Sequence, residues 1–298
     1  MCSLVLFLFF VLCSLFFVLC SLLGVIPCSV MRDTSGAIGS CVADIALLDH
    51  VVTGAPLVQL LKSESLAGKK VAVVEDWIAF KTGGKGVGDM VLRSLEVTKA
   101  AFAKAGAEVL TNITGFTEMA LTNKDTWELP FLPVPHEDSC ADLQAYLNRH
   151  VDRPASIQSV ADITAKMDSK GIIGYYAPLD EEKISKLPAT AEGIVALEAS
   201  YREWFAKNDV SVAMIPFCGH DLTKIDIAGE GGANFANEYG FCMHMNEIHV
   251  PSIAIPIHSV KHEGSGVPCS VLLYGVDDAE VLAVAMALEA ALKVSIRV

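Results

Sequence analysis

Arg32-Asp33-Thr34-Ser35-Gly36-Ala37-Ile38-Gly39-Ser40-Cys41-Val42-Ala43-Asp44-Ile45-Ala46-Leu47-Leu48-Asp49 is the stretch on which the reading of the fold turns. Its first half is turn chemistry. The short polar side chains of Asp33 and Thr34 bond the local backbone, and Gly36 permits a positive φ. Its second half is helical. Ser40 is placed to cap a helix over 40–53, and Val42, Ile45, Ala46, Leu48 and Asp49 recur at helical spacing with the apolar members on one face. What precedes it is of a different kind: Met1 to Met31 is uncharged and dominated by Leu, Phe, Val, Cys and Ser.

The run, with Gly24-Val25-Ile26-Pro27 upstream, resembles the segment that follows the catalytic serine in amidase signature hydrolases, where a D-T-x-G-P turn opens an apolar helix. Ala37 departs from the family's Pro, and Gly39-Ser40 from its common Ala-Arg; both loosen the turn. Leu47-Leu48-Asp49 and the following Val51, Thr53 and Gly54 are similar to indoleacetamide and mandelamide hydrolases. The resemblance covers 24–298, patchily in the middle. It implies an α/β fold, a mixed β-sheet flanked by helices, truncated on its N-terminal side. It also implies serine-type hydrolysis of a C–N amide bond in a small-molecule substrate, without metal or organic cofactor. The family's reaction needs a serine nucleophile, a second serine in a cis peptide, and a lysine that takes and returns the proton. Counting back from Asp33, the nucleophile falls at or just before Met1, and no Lys precedes Lys62. No residue of the chain inherits a catalytic role, and turnover by the chain as written is not expected. Asp33, Thr34 and Gly36 would brace the nucleophile loop, and His220 would line the substrate pocket. A rival of another class is a membrane-anchored, catalytically dead binding protein that keeps the cleft.

Composition narrows the field further. A chain of 298 residues holds one large α/β domain, or one domain with an appended segment. A net charge of −13, with lysines scattered among acids, excludes the concentrated basic face that nucleic acid requires. The mean hydropathy of +0.46 is inflated by the N-terminal tract. Nine Cys include no C-x-x-C pair, so buried thiols are the better reading than a disulfide framework. The amidase part is thus expected in a reducing cytoplasm.

Residues 1–23 stand apart from a partial amidase signature domain at 24–298. The charge-free run exceeds the roughly 20 residues that cross a bilayer, yet it lacks the basic flank of a signal peptide or an oriented anchor. Phe-Phe-Val-Leu-Cys-Ser-Leu occurs twice in tandem, at 9–15 and 16–22. Its residues are encoded by pyrimidine- or T-rich codons, as a misread intron end would supply. A membrane anchor and a gene-model artefact both remain open, with a cleaved signal as a third reading.

Further along, 69–75 reads as a buried strand, 83–88 as a Gly-rich surface connector, 89–105 as a helix and 107–110 as a second strand, a parallel crossover. Helices are expected at 56–61, 138–149, 156–168, 194–207 and 279–292, and strands at 210–217, 250–257 and 268–275. Other chemistries fit less well. Gly83-Gly84-Lys85-Gly86-Val87-Gly88 lacks the phosphate-cradle order, Ser35 and Ser265 lack a nucleophile elbow, and His244 and His249 are five apart rather than four. Cys218, Cys242, His258 and His262 are read as loop and core residues rather than metal ligands.

Overall fold

The structure, a computed structural model, describes residues 10–11, 36–54, 65–120, 139–149, 152, 154–165, 181–219 and 250–292. Five strands form the body of the sheet: β3 (Lys70–Val73), β4 (Glu108–Leu110), β5 (Val212–Pro216), β6 (Ser252–Lys261) and β7 (Pro268–Tyr274). Two-residue strands β1 (Phe10–Val11) and β2 (Gly36–Ala37) extend it, giving the order β2-β1-β6-β7-β5-β3-β4. β3 lies parallel to β4 and β5, whereas β7 runs antiparallel to β5 and β6. The sheet is mixed and flanked by helices, as the sequence implies. Phe10 and Val11 pair with β6 and β2, so two residues of the apolar tract sit in the sheet.

Strand alternation builds two cores. Val71, Val73, Val212, Met214, Ile253 and Ile255 point to one face, under α1 (Val42–Thr53), α3 (Asp89–Lys104) and α8 (Asp278–Ala291). Ala72, Val74, Ala213, Ile215, Ala254 and Leu272 point to the other. There α2 (Glu75–Lys81), α4 (Phe116–Ala120) and α7 (Glu181–Asn208) contribute Trp77, Phe116, Tyr201, Trp204 and Phe205. Phe116 is the hub, meeting Trp204 edge-on at 5.1 Å and Tyr201 at 6.1 Å. A β-strand covered on both sides reads as a continuous apolar run, which is why 210–217 shows no alternation. Two further helices, α5 (Ser139–Arg149) and α6 (Val160–Thr164), pack on each other around Leu143, Leu147 and Val160. Ser159 and Asp162 close a capping box on α6.

The start of α1 differs from its expected form. Cys41, not Ser40, is the N-cap, and it makes no side-chain cap bond. The free Val42 N–H instead donates to the Glu289 carboxylate of α8, at 3.2 and 3.3 Å, a cap supplied from across the core. Burial raises the Glu289 carboxyl above its ordinary pKa, the Val42 bond opposes this, and Asp44 adds to it. The helix ends on Gly54 at φ 74°, whose N–H returns to the His50 carbonyl. Its buried face is Val42, Ile45, Ala46 and Asp49, while Leu48, expected with them, is exposed. At the other end of the chain Gly275 is forced by close approach. A Cβ there would meet Val281 Cγ2 at 2.9 Å and the Ser211 carbonyl at 3.3 Å. The helix expected at 56–61 lies outside the described residues.

Candidate functional site

Strand direction decides where a site can form. β3, β4, β5 and β6 all run the same way, since β7 is antiparallel to both of its neighbours. Their C-terminal ends therefore share one edge, the edge at which open α/β sheets bind ligands. Three segments gather there: the Gly-rich loop after α2, Phe217-Cys218-Gly219 after β5, and the turn from His262 to Val267 between β6 and β7. One bond joins the first two segments, a second fixes the segment after β5 to β7, and a third closes the turn on itself. Gly88 N–H donates to the Gly219 carbonyl at 2.9 Å, Phe217 N–H to the Ser270 carbonyl at 3.0 Å, and His262 N–H to the Val267 carbonyl at 2.8 Å.

The turn places His262 Nε2 3.8 Å from Cys218 Sγ, both residues buried. So enclosed, the pair locks the ends of β5 and β6 around the start of β7 rather than meeting a solute. The sequence flagged both residues, but their 44-residue separation hid the contact. Burial first, then Lys261, lowers the pKa of His258, and its buried Nε2 has no hydrogen-bond partner among the described residues. Among the described residues no group of three or more His, Cys, Asp or Glu gathers as a metal site. No described helix is long and apolar enough to cross a membrane.

Of the residues singled out by sequence, Asp33, Thr34 and His220 lie outside the described residues. Gly36 is described, and it differs from expectation: it is an exposed residue of the extended strand β2, not a positive-φ turn. Register sets it at the level of Ser252, through Val11. It thus sits at the start of β6, roughly 30 Å of strand from the edge where β6 ends. The structure does not bring Gly36 and the Cys218–His262 pair together. What sequence reasoning missed is a cavity of about 420 Å³ beside the Gly-rich loop, lined in part by Glu75, Lys85 and Lys99. The signal was a glycine-rich loop directly after a strand and a short helix.

No family model matches the chain, and no curated protein matches its sequence. Solved structures do match. An amidase family protein from Bacillus anthracis str. Ames aligns over 97% of this chain and 54% of its own, at TM-score 0.64 and 13% identity. A 6-aminohexanoate cyclic dimer hydrolase complexed with substrate aligns over 96% and 60%, at TM-score 0.62 and 14% identity. A further amidase aligns over 96% and 58%, at TM-score 0.61 and 16% identity. This is an amidase-like fold. At such identities the likeness is one of fold, and the chain spans 54 to 60% of the length of these three proteins.

Proposed function

We propose that the chain is the amidase-fold portion of a protein that acts on, or binds, the C–N amide bond of a small molecule. The observation that carries this reading is a fold shared over 96 to 97% of the chain with proteins named amidase, amidase family protein, fatty acid amide hydrolase and 6-aminohexanoate cyclic dimer hydrolase. The D-T-x-G run and the Leu-Leu-Asp continuation in α1 support it independently. Chemistry by this route is serine-type acyl transfer, which needs a hydroxyl, an adjacent low-pKa base and oxyanion donors acting as a unit. Within these 298 residues no Lys precedes Lys62, and no serine stands in the family's nucleophile pattern. Asp33, Thr34 and Gly36 are proposed to brace the loop that carries the nucleophile, from the end of the sheet where β6 begins, and His220 to line the pocket; none of the four is proposed to react.

The 298-residue protein is expected to show no turnover of aryl or aliphatic amides and no fluorophosphonate adduct on any serine. A covalent serine adduct, with turnover abolished by changing that serine to Ala, would overturn the inactive reading and leave the amidase assignment standing. The uncharged run from Met1 to Met31 suggests one second reading, a membrane-anchored binding protein that keeps the fold without the reaction, and the pairing of Phe10 and Val11 within the sheet counts against it. Recovery of the intact chain, residues 1–23 included, in the carbonate-resistant membrane fraction supports it; recovery only in the supernatant counts against it.

A further inference from the structure

The cavity beside the Gly-rich loop has features that the amide reading does not use. It lies past the end of β3, between α2 and α3, with Val73, Ile78, Val87, Leu92 and Leu95 forming apolar walls. At about 420 Å³ it falls within the range of small-molecule sites. Leu92 is 50% exposed, an apolar side chain left at the mouth.

The loop that closes it is built, not slack. Gly84 N–H donates to the Ala79 carbonyl at 2.8 Å, Lys85 N–H to the Thr82 carbonyl at 3.2 Å, and Gly88 N–H to the Gly219 carbonyl at 2.9 Å. Gly84 and Gly86, at φ 75° and 77°, hold Lys85 between two left-handed residues that only glycine adopts without strain.

The charges around this cavity are unevenly committed. Glu75 accepts a hydrogen bond from Asn112 N–H at 3.3 Å. Lys99 is paired with Glu96 on the helix surface. Lys85 has no ion pair among the described residues. On a protein of net charge −13, an apolar cavity with Lys85 and Lys99 on its lining is a local exception.

We propose that this cavity binds a small amphipathic monocarboxylate, its apolar chain against Ile78, Leu92 and Leu95 and its carboxylate held by Lys85, with Lys99 adding long-range attraction. The carboxylate of Glu75 in the same lining leaves room for one negative charge and works against phosphates and dicarboxylates. An apolar body with a single anionic end satisfies both walls at once: each buried methylene adds to affinity, and the carboxylate gives Lys85 a charged partner.

The test uses the full 298-residue protein with sodium octanoate as the probe, followed by titration calorimetry. Octanamide and octylammonium serve as neutral and cationic controls. This measurement needs no turnover, so it is decided separately from the amide reading. Octanoate is expected to bind in preference to both controls and to weaken as salt is raised. Lys85→Gln is expected to weaken octanoate about tenfold while leaving octanamide unchanged. Lys99→Gln is expected to weaken it less, and Leu92→Ser to weaken octanoate and octanamide alike. Both lysine positions are surface-borne, so unchanged melting temperatures will certify the variants. No octanoate binding, equal binding of octanamide, or indifference to Lys85→Gln would each overturn the proposal.

Discussion

Asp49 and Asp278 show what a single buried carboxyl does to this protein. Asp278 is pushed up to about 6, first by burial, then by the charges of Asp49 and Asp277, with Arg202 pulling the other way. Asp49, on the facing helix α1, is also raised, by burial against the opposing Thr53 bond and His50 charge. Each leaves one Oδ1 buried without a hydrogen-bond partner among the described residues. The sign follows from proton binding. A folded carboxyl with a raised pKa holds its proton more tightly than in the unfolded chain, so its contribution to stability is complete below about 3.8 and lost as pH rises past about 6. Asp278→Asn removes the charge and keeps the shape. It is expected to raise stability above pH 6 by about 1–3 kcal/mol, and to give no gain near pH 4. Melting temperatures of the two proteins from pH 4 to 8 decide this; a gap that does not widen with pH would sink it. Asp49→Asn should move the Asp278 midpoint down.

At the level of elements, α1 is the informative helix, because it is apolar on both sides. Its inner face packs on α8, while Leu47, Leu48, Val51 and Val52 are exposed, with Ile38 just before them. An all-round apolar helix belongs between two layers. Leu47→Glu with Val51→Glu is expected to leave the melting temperature within the small range of surface changes, about 0.5 kcal/mol, and to cut aggregation and hydrophobic-dye binding. A fall of many degrees would show that this face is covered in the folded protein. The same helix shows what sequence reveals and what it hides. Its existence and its end at Gly54 were legible, because periodicity and a C-terminal glycine are local. Its N-terminal cap was not, since Glu289 lies 247 positions away. Leu48 was assigned to the core for the same reason: its spacing fits, but which side faces α8 is a tertiary fact. β5, β6 and β7 were readable from β-branched runs, although their pairing order was not, because each run is equally apolar on both faces. α7 begins 13 residues before the amphipathic stretch 194–207, its earlier turns lacking a periodic apolar stripe.

The whole molecule joins two kinds of pairing at β5, which meets β3 in parallel and β7 antiparallel. The amidase-like outline was legible from the D-T run, the crossover and the closing hairpin–helix, since these are contiguous motifs. The candidate site edge was not, because it assembles from 82–88, 217–219 and 262–267, which no local pattern links. That junction also carries a consequence in time. β6 and β7 are joined by a short turn and share a long ladder, so their pairing closes cheaply. β3 and β5 share three register pairs, Val71 with Val212, Ala72 with Ala213 and Val73 with Met214, each joining residues 141 positions apart. Such distant closure costs more entropy and comes late. Leu273→Ala is therefore expected to slow refolding in stopped-flow measurements, whereas Val71→Ala should chiefly accelerate unfolding. Equal effects of both on refolding would refute the order. Opening should follow the same seam: amide protons shared by β3 and β5 exchange with solvent ahead of those between β6 and β7, so the parallel joint sets how long the strand ends that meet at this edge stay assembled.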